Sequence, residues 1–134
     1  MTEVRKPDKR PELQVVTAMY ESFAASLPRL ANLPRVHRFT VGERLESLQM
    51  DVLECLLHAR FERSKSEWLN RANIKLDLCR MLVRALCDSK QISPGLYEAW
   101  ILELDGVGRQ VGGWIRQTGA RPSPPAGGDH GADA

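Results

Sequence analysis

Arg80 and Arg84 stand four residues apart in LCRMLVRAL, and Arg71 and Lys75 stand four apart earlier in the same run. On a helix that spacing puts each pair on one face. Paired cations on one face suit binding of a polyanion, because each phosphate they neutralise releases condensed counterions. At about 100° per residue the two pairs fall on separate patches rather than one stripe. The alternative is an ordinary solvated face with ion pairs to Asp77 and Asp88. No aromatic residues interleave with these cations to stack bases, so any nucleic-acid binding is expected to be directed at the phosphate backbone and weakly sequence-specific. A second basic stretch, LPRVHRFTVGERL at residues 33–45, carries Arg35 and Arg38. Those two arginines either pair with acids such as Glu46 or extend the basic surface.

The formal charge of the 134-residue chain is only +2, but it is sorted by segment. Residues 29–44 and 63–90 are net basic, and residues 45–62 between them are net acidic. Catalytic patterns are missing. There is no GxSxG, no HExxH and no Walker loop. Glu43 with Glu46, and Asp51 with Glu54, lie one turn apart, but a di-iron bundle needs inward Glu-x-x-His motifs, and His58 follows Glu54 at the fourth place. A solvated helix face is the simpler account. The histidines at 37, 58 and 130 are scattered, so neither a metal nor another cofactor is expected. Cys55, Cys79 and Cys87 are odd in number, form no CxxC and sit in apolar helical patterns. They read as buried reduced thiols, which points to the cytoplasm. No run is apolar enough to span a membrane, and MTEVRKPDKRPE holds no signal-peptide h-region.

Four helices are expected to carry these residues, in an all-α, up-down-up-down antiparallel bundle spanning 13–117. Residues 1–12 read as a flexible, charged N-terminus and 118–134 as a disordered Gly/Pro/Ala tail. The first helix covers about 13–32, with a stripe of Val16, Met19, Tyr20, Phe23, Leu27 and Leu30, and Pro28 predicts a kink or break near Leu27. The second opens at Thr40-Val41-Gly42-Glu43, which fits a capping box and leaves LPRVHRF as loop. Its stripe is Val41, Leu45, Leu48, Val52, Cys55 or Leu56, and Ala59. The third opens near Ser64 or Ser66, where Ser64-Lys65-Ser66-Glu67 is another possible box. It carries the heptad seam Leu69, Ala72, Leu76, Cys79, Val83 and Leu86. The fourth opens at Ser93-Pro94, an N-cap followed by proline at the first helical position.

Two features suggest contacts beyond one core. Met50, Leu53 and Leu57 on the second helix, and Ile74, Leu78, Met81 and Leu82 on the third, exceed what one apolar stripe of about 100° needs. That surplus predicts self-association. Gly108, Gly112 and Gly113 lie late in the fourth helix, where each glycine costs about 1 kcal/mol relative to alanine. Close approach of another helix is the expected return, with Trp114 anchoring the packing.

The stretches LPRVHRFTVGERL, LLHARFERSKSEWLNRANIKLDLCRMLVRAL and VGRQVGGWIRQ together resemble one family over about residues 13–117. It is the accessory variability determinant (Avd) proteins of diversity-generating retroelements, similar in turn to bundle proteins encoded in ribosomal-RNA intervening sequences. The resemblance implies a homopentameric barrel of four-helix bundles with no catalytic centre of its own. It implies binding to the retroelement's reverse transcriptase and to template RNA or other nucleic acid through a basic surface. The enzyme copies the template with errors at adenines, and the cDNA replaces a variable gene segment. Arg80 and Arg84 fall where the family places basic residues on its third helix. Arg71 and Lys75 follow, with Arg35 and Arg38 as outlying contacts. The alternative is a structural or interaction bundle with no nucleic-acid role, as in the intervening-sequence relatives.

Overall fold

The computed structural model describes residues 10–119, so the expectations for 1–9 and 120–134 lie outside the described residues. The described chain is helical and contains no strand. Helix α1 spans Pro11–Ala31, α2 Arg35–His37, α3 Glu43–Phe61, α4 Lys65–Asp88 and α5 Pro94–Gln117. Between α2 and α3 the chain passes through a π-helical turn at Arg38–Gly42. Backbone angles at His37, Gly42 and Glu43 stay helical, so α2, this turn and α3 form one unbroken helical stretch. The bundle thus has four long helical segments joined by short connections.

Local chemistry explains the ends, and corrects four expectations. Pro11 occupies the first turn of α1, where its missing N–H would have had no partner. Pro28 does not break the helix near Leu27. It stands in the last turn of α1, where its own carbonyl still accepts from the Asn32 N–H at 3.1 Å. Residues 35–39 are not loop. Pro34 opens a helix there, and its carbonyl accepts from His37 and Arg38 N–H, both at 2.9 Å. Thr40 forms no capping box. Its hydroxyl points backward and donates to the Val36 carbonyl at 2.7 Å. Ser64 precedes α4 without any side-chain cap; the C-terminal end of α3 is instead held by Lys65, whose ammonium donates to the Ala59 and Arg60 carbonyls. Ser93 does cap α5, accepting from the Leu96 N–H at 3.1 Å.

The core contains the whole α4 seam, Leu69 to Leu86, together with Leu45, Leu48, Val52, Cys55, Leu56 and Ala59 from α3. Helix α5 adds Trp100, Leu104, Val107, Val111, Trp114 and Ile115. Helix α1 is rotated from the expected face. It buries Val15, Met19, Ser22, Ser26 and Leu30, while Tyr20 and Leu27 are exposed. Two polar links set this rotation. The Ser26 hydroxyl donates to the Phe23 carbonyl and accepts from Gln49 Nε2 at 3.0 Å, tying α1 to α3. Arg29 makes a two-pronged bond to Glu103 at 3.0 and 2.9 Å and covers the Trp100 ring, tying α1 to α5.

Of the surplus apolar residues, Leu53, Leu78 and Leu82 pack against the core, whereas Met50, Leu57, Ile74 and Met81 remain exposed. No helix among the described residues is long and apolar enough to cross a membrane. Cys55 and Cys79 are buried free thiols, and Cys87 is half-buried. Burial raises both buried thiols, Cys79 from the ordinary 9.0 up to about 12. Between those two pH values the folded state keeps the Cys79 proton that the unfolded chain releases, so alkali destabilises the fold. Iodoacetamide at pH 8 should therefore modify Cys87 first in the native protein, and Cys55 and Cys79 only after unfolding. Equal labelling rates for all three, read by mass spectrometry, would contradict the packing described.

Candidate nucleic-acid interface

The six basic side chains singled out by the sequence occupy four different settings. Arg80 is turned inward. Its Nη1 meets Asp77 at 2.6 Å, its Nε meets Asp105 of α5 at 2.7 Å, and its Nη2 reaches toward the Leu104 carbonyl at 3.5 Å. Asp77 is buried, so the guanidinium supplies the charge that a carboxylate needs away from water. Gly108 explains itself here. A Cβ at that position would stand 2.5 Å from Arg80 Nη2. The close neighbour is thus an arginine head rather than a helix backbone. Gly112 and Gly113 have only the Arg116 guanidinium near the place of a Cβ, at 3.6 and 3.9 Å. Trp114 is buried at the same end of α5.

Arg84 is four residues on from Arg80 but differs in kind. Its side chain is 73% exposed and stands 3.6 Å from the equally open Asp88. A pair so solvated holds its arginine weakly, which leaves Arg84 available to an anion. Lys75 bridges to Asp51 of α3 at 3.5 Å. Arg71 stands 3.5 Å from Glu67 and covers the Trp68 ring at 4.6 Å. Trp68 in turn stacks on His58 at 4.1 Å, and its indole N–H donates to Glu62 at 3.0 Å. His58 is also bonded to Glu62, and these two bonds hold the Glu62 carboxyl below the usual range. Asp51, Glu54, Cys55, Trp68, Arg71, Ile74 and Lys75 line one open cleft between α3 and α4. Its carboxylates balance its cations.

Arg35 and Arg38 form the fourth setting, at the other end of the α3–α4 pair from Arg71. Neither has a carboxylate within 4 Å among the described residues, so pairing with Glu46 is not observed. Arg38 Nη1 instead donates to the Ala31 carbonyl at 3.1 Å and caps α1. Both guanidinium groups lie over the Phe39 ring, at 5.6 Å for Arg35 and 5.1 Å for Arg38. Nothing in the sequence singles out Phe39 as long as residues 35–39 read as loop, because its i, i+4 relation to Arg35 exists only on a helix. Among the described residues no group of three or more His, Cys, Asp or Glu is placed to hold a metal ion.

These settings give separable outcomes for stability. Arg80→Ala removes the cation beside a buried carboxylate and should cost about 1–3 kcal/mol, whereas Arg84→Ala should change stability by no more than about 0.5 kcal/mol. Urea unfolding of the two single variants tests this, and matching midpoints would show that Arg80 is no clamp. Gly108→Ala should destabilise despite its better helix propensity. Gly112→Ala should gain about 0.5–1 kcal/mol, since nothing but Arg116 stands near. A loss of stability or of oligomer at Gly112 would reveal a second copy packed there.

Comparison with curated proteins gives no match, and comparison with solved structures gives none. A family model described as bAvd-like matches residues 14–118. That span runs from the first turn of α1 to just past the end of α5 and covers well over half of the chain. With its four long helical segments and this match, the chain belongs to the bAvd-like family.

Proposed function

We propose that this protein is a non-enzymatic accessory subunit of a diversity-generating retroelement. It assembles as a homo-oligomer, a pentamer by the resemblance, and binds the element's reverse transcriptase and template RNA in the cytoplasm. There it supports the mutagenic cDNA synthesis that underlies mutagenic retrohoming. The observation that carries this reading is the family match over residues 14–118. Two features of the chain agree with it. Met50 and Leu57 share one side of α3, and Ile74 and Met81 share one side of α4, each pair seven residues apart and exposed. Such side chains suit a partner surface. Arg84 and Arg35 offer cations to a phosphate backbone. No catalytic constellation is needed of a subunit that positions another enzyme.

A second reading, an interaction bundle without a nucleic-acid role, has one observation on its side. Arg71, Lys75 and Arg80 are each paired with carboxylates. A light-scattering molar mass separates the two readings, taken with and without co-expressed reverse transcriptase and template RNA. The accessory reading expects a closed ring that shifts to a larger complex and loses RNA as salt rises. A monomer or dimer that ignores both additions would leave the plain bundle.

A further inference from the structure

Phe39 is 57% exposed, yet it stands on a rigid helical stretch rather than on a loop. Three features fix it there. The Thr40 hydroxyl donates to the Val36 carbonyl at 2.7 Å, and Arg38 is anchored on the Ala31 carbonyl. Gly42 lets the π turn close, since a Cβ there would stand 3.1 Å from the His37 carbonyl and 3.3 Å from Leu33. Such π turns inside α-helices recur at functional sites. The ring is flanked by two guanidinium groups that no described carboxylate neutralises. An aromatic ring with two guanidinium groups over it, neither paired with a described carboxylate, matches a ligand that is itself flat and carries negative charge next to its flat part. A nucleotide in an unpaired strand has that chemistry: the base stacks on a ring or a guanidinium plane, and the flanking phosphates meet the arginines. A duplex hides its base faces. Arg38 and Phe39 line one groove together with Leu27, Met50, Glu43 and Glu46, and Arg35 lies outside it. The phosphates of a single strand are therefore met on the Arg35 side, away from the two carboxylates. A broad anionic lipid surface would cover those carboxylates as well and fits less well.

We propose that Phe39, with Arg35 and Arg38, is a stacking site for an unpaired base of single-stranded nucleic acid. The site rests on the nucleic-acid binding proposed above and adds to it a preference for unpaired strands. The test is fluorescence anisotropy with a short labelled single-stranded RNA and with the same strand annealed to its complement. The wild type should favour the single strand. Phe39→Ala should weaken single-strand binding about tenfold, the scale of one lost stack, with an unchanged salt slope because no charge is lost. Phe39→Trp should restore the affinity, and Arg35→Ala should lower the salt slope by about one. If Phe39→Ala binds the single strand as the wild type does, the stacking site is overturned while nucleic-acid binding stands. If that variant instead loses only the co-expressed reverse transcriptase, the ring is a protein contact. A wild type that binds neither RNA overturns both readings.

Discussion

Asp77 is the one charged residue that the bundle buries among the described residues, and much of the α4–α5 interface follows from it. A carboxylate away from water must have a cation and hydrogen bonds beside it, or it will not stay ionised. Arg80, three residues on, supplies the cation only by lying flat against α5, where Asp105 takes its Nε and the Leu104 carbonyl lies near its Nη2. That posture requires the next turn of α5 to present no side chain, and Gly108 meets the requirement. One buried charge therefore sets a rotamer, a register between two helices and a glycine. It also turns inward one of the two arginines that the family resemblance put first among the anion-binding candidates.

The same kind of pairing explains where the chain's positive charge is found. The acidic segment 45–62 and the basic segment 63–90 are α3 and α4, which run antiparallel across a short turn. Opposite charges sorted by segment then face one another, as Lys75 and Asp51 do. The flank of the α3–α4 pair becomes nearly neutral despite its many charged residues, and the unbalanced cations move elsewhere. Arg35, Arg38 and Arg44 lie where the second helical stretch begins, and Arg60 and Arg63 lie where α3 gives way to α4. None of these five has a carboxylate within 4 Å among the described residues. A net charge of +2 thus coexists with concentrated positive charge at the bundle ends, where local potential rather than net charge governs encounter with an anion.

The elements legible in the sequence were those whose cause is local or strictly periodic. The α4 seam follows from its heptad spacing, and the α5 start follows from Ser93 and Pro94, both of which act on their own first turn. The π turn was not legible, because a threonine hydroxyl can accept from a forward amide or donate to a backward carbonyl. Thr40 has the right neighbours for either, and only the helix begun at Pro34 decides between them. The face of α1 was misread for a related reason. Ser22 and Ser26 count as polar in any pattern, yet they are buried because Glu103 and Gln49 on two other helices receive or supply their bonds. The pairing of Arg80 with Asp77 was open to a local reading, whereas its bond to Asp105 and the place of its head beside Gly108 were not, because those partners belong to another helix.

Exposure therefore separates the basic residues more sharply than their spacing does. A cation already held by two carboxylates can turn to a phosphate only by giving up both bonds and leaving a buried charge behind, and no surface contact with an anion compensates for that. Arg80 is in that position. Arg84, held by one solvated acid, and Arg35, held by none, are not. Of the two basic ends, the one where the second helical stretch begins and α4 ends brings Arg35 and Arg84 to the same end of the fold through the antiparallel topology. The same end carries the exposed Phe39 ring. Charge and aromatic surface are combined there by the fold, although neither the charge sums nor the helical periodicity of the sequence puts them together.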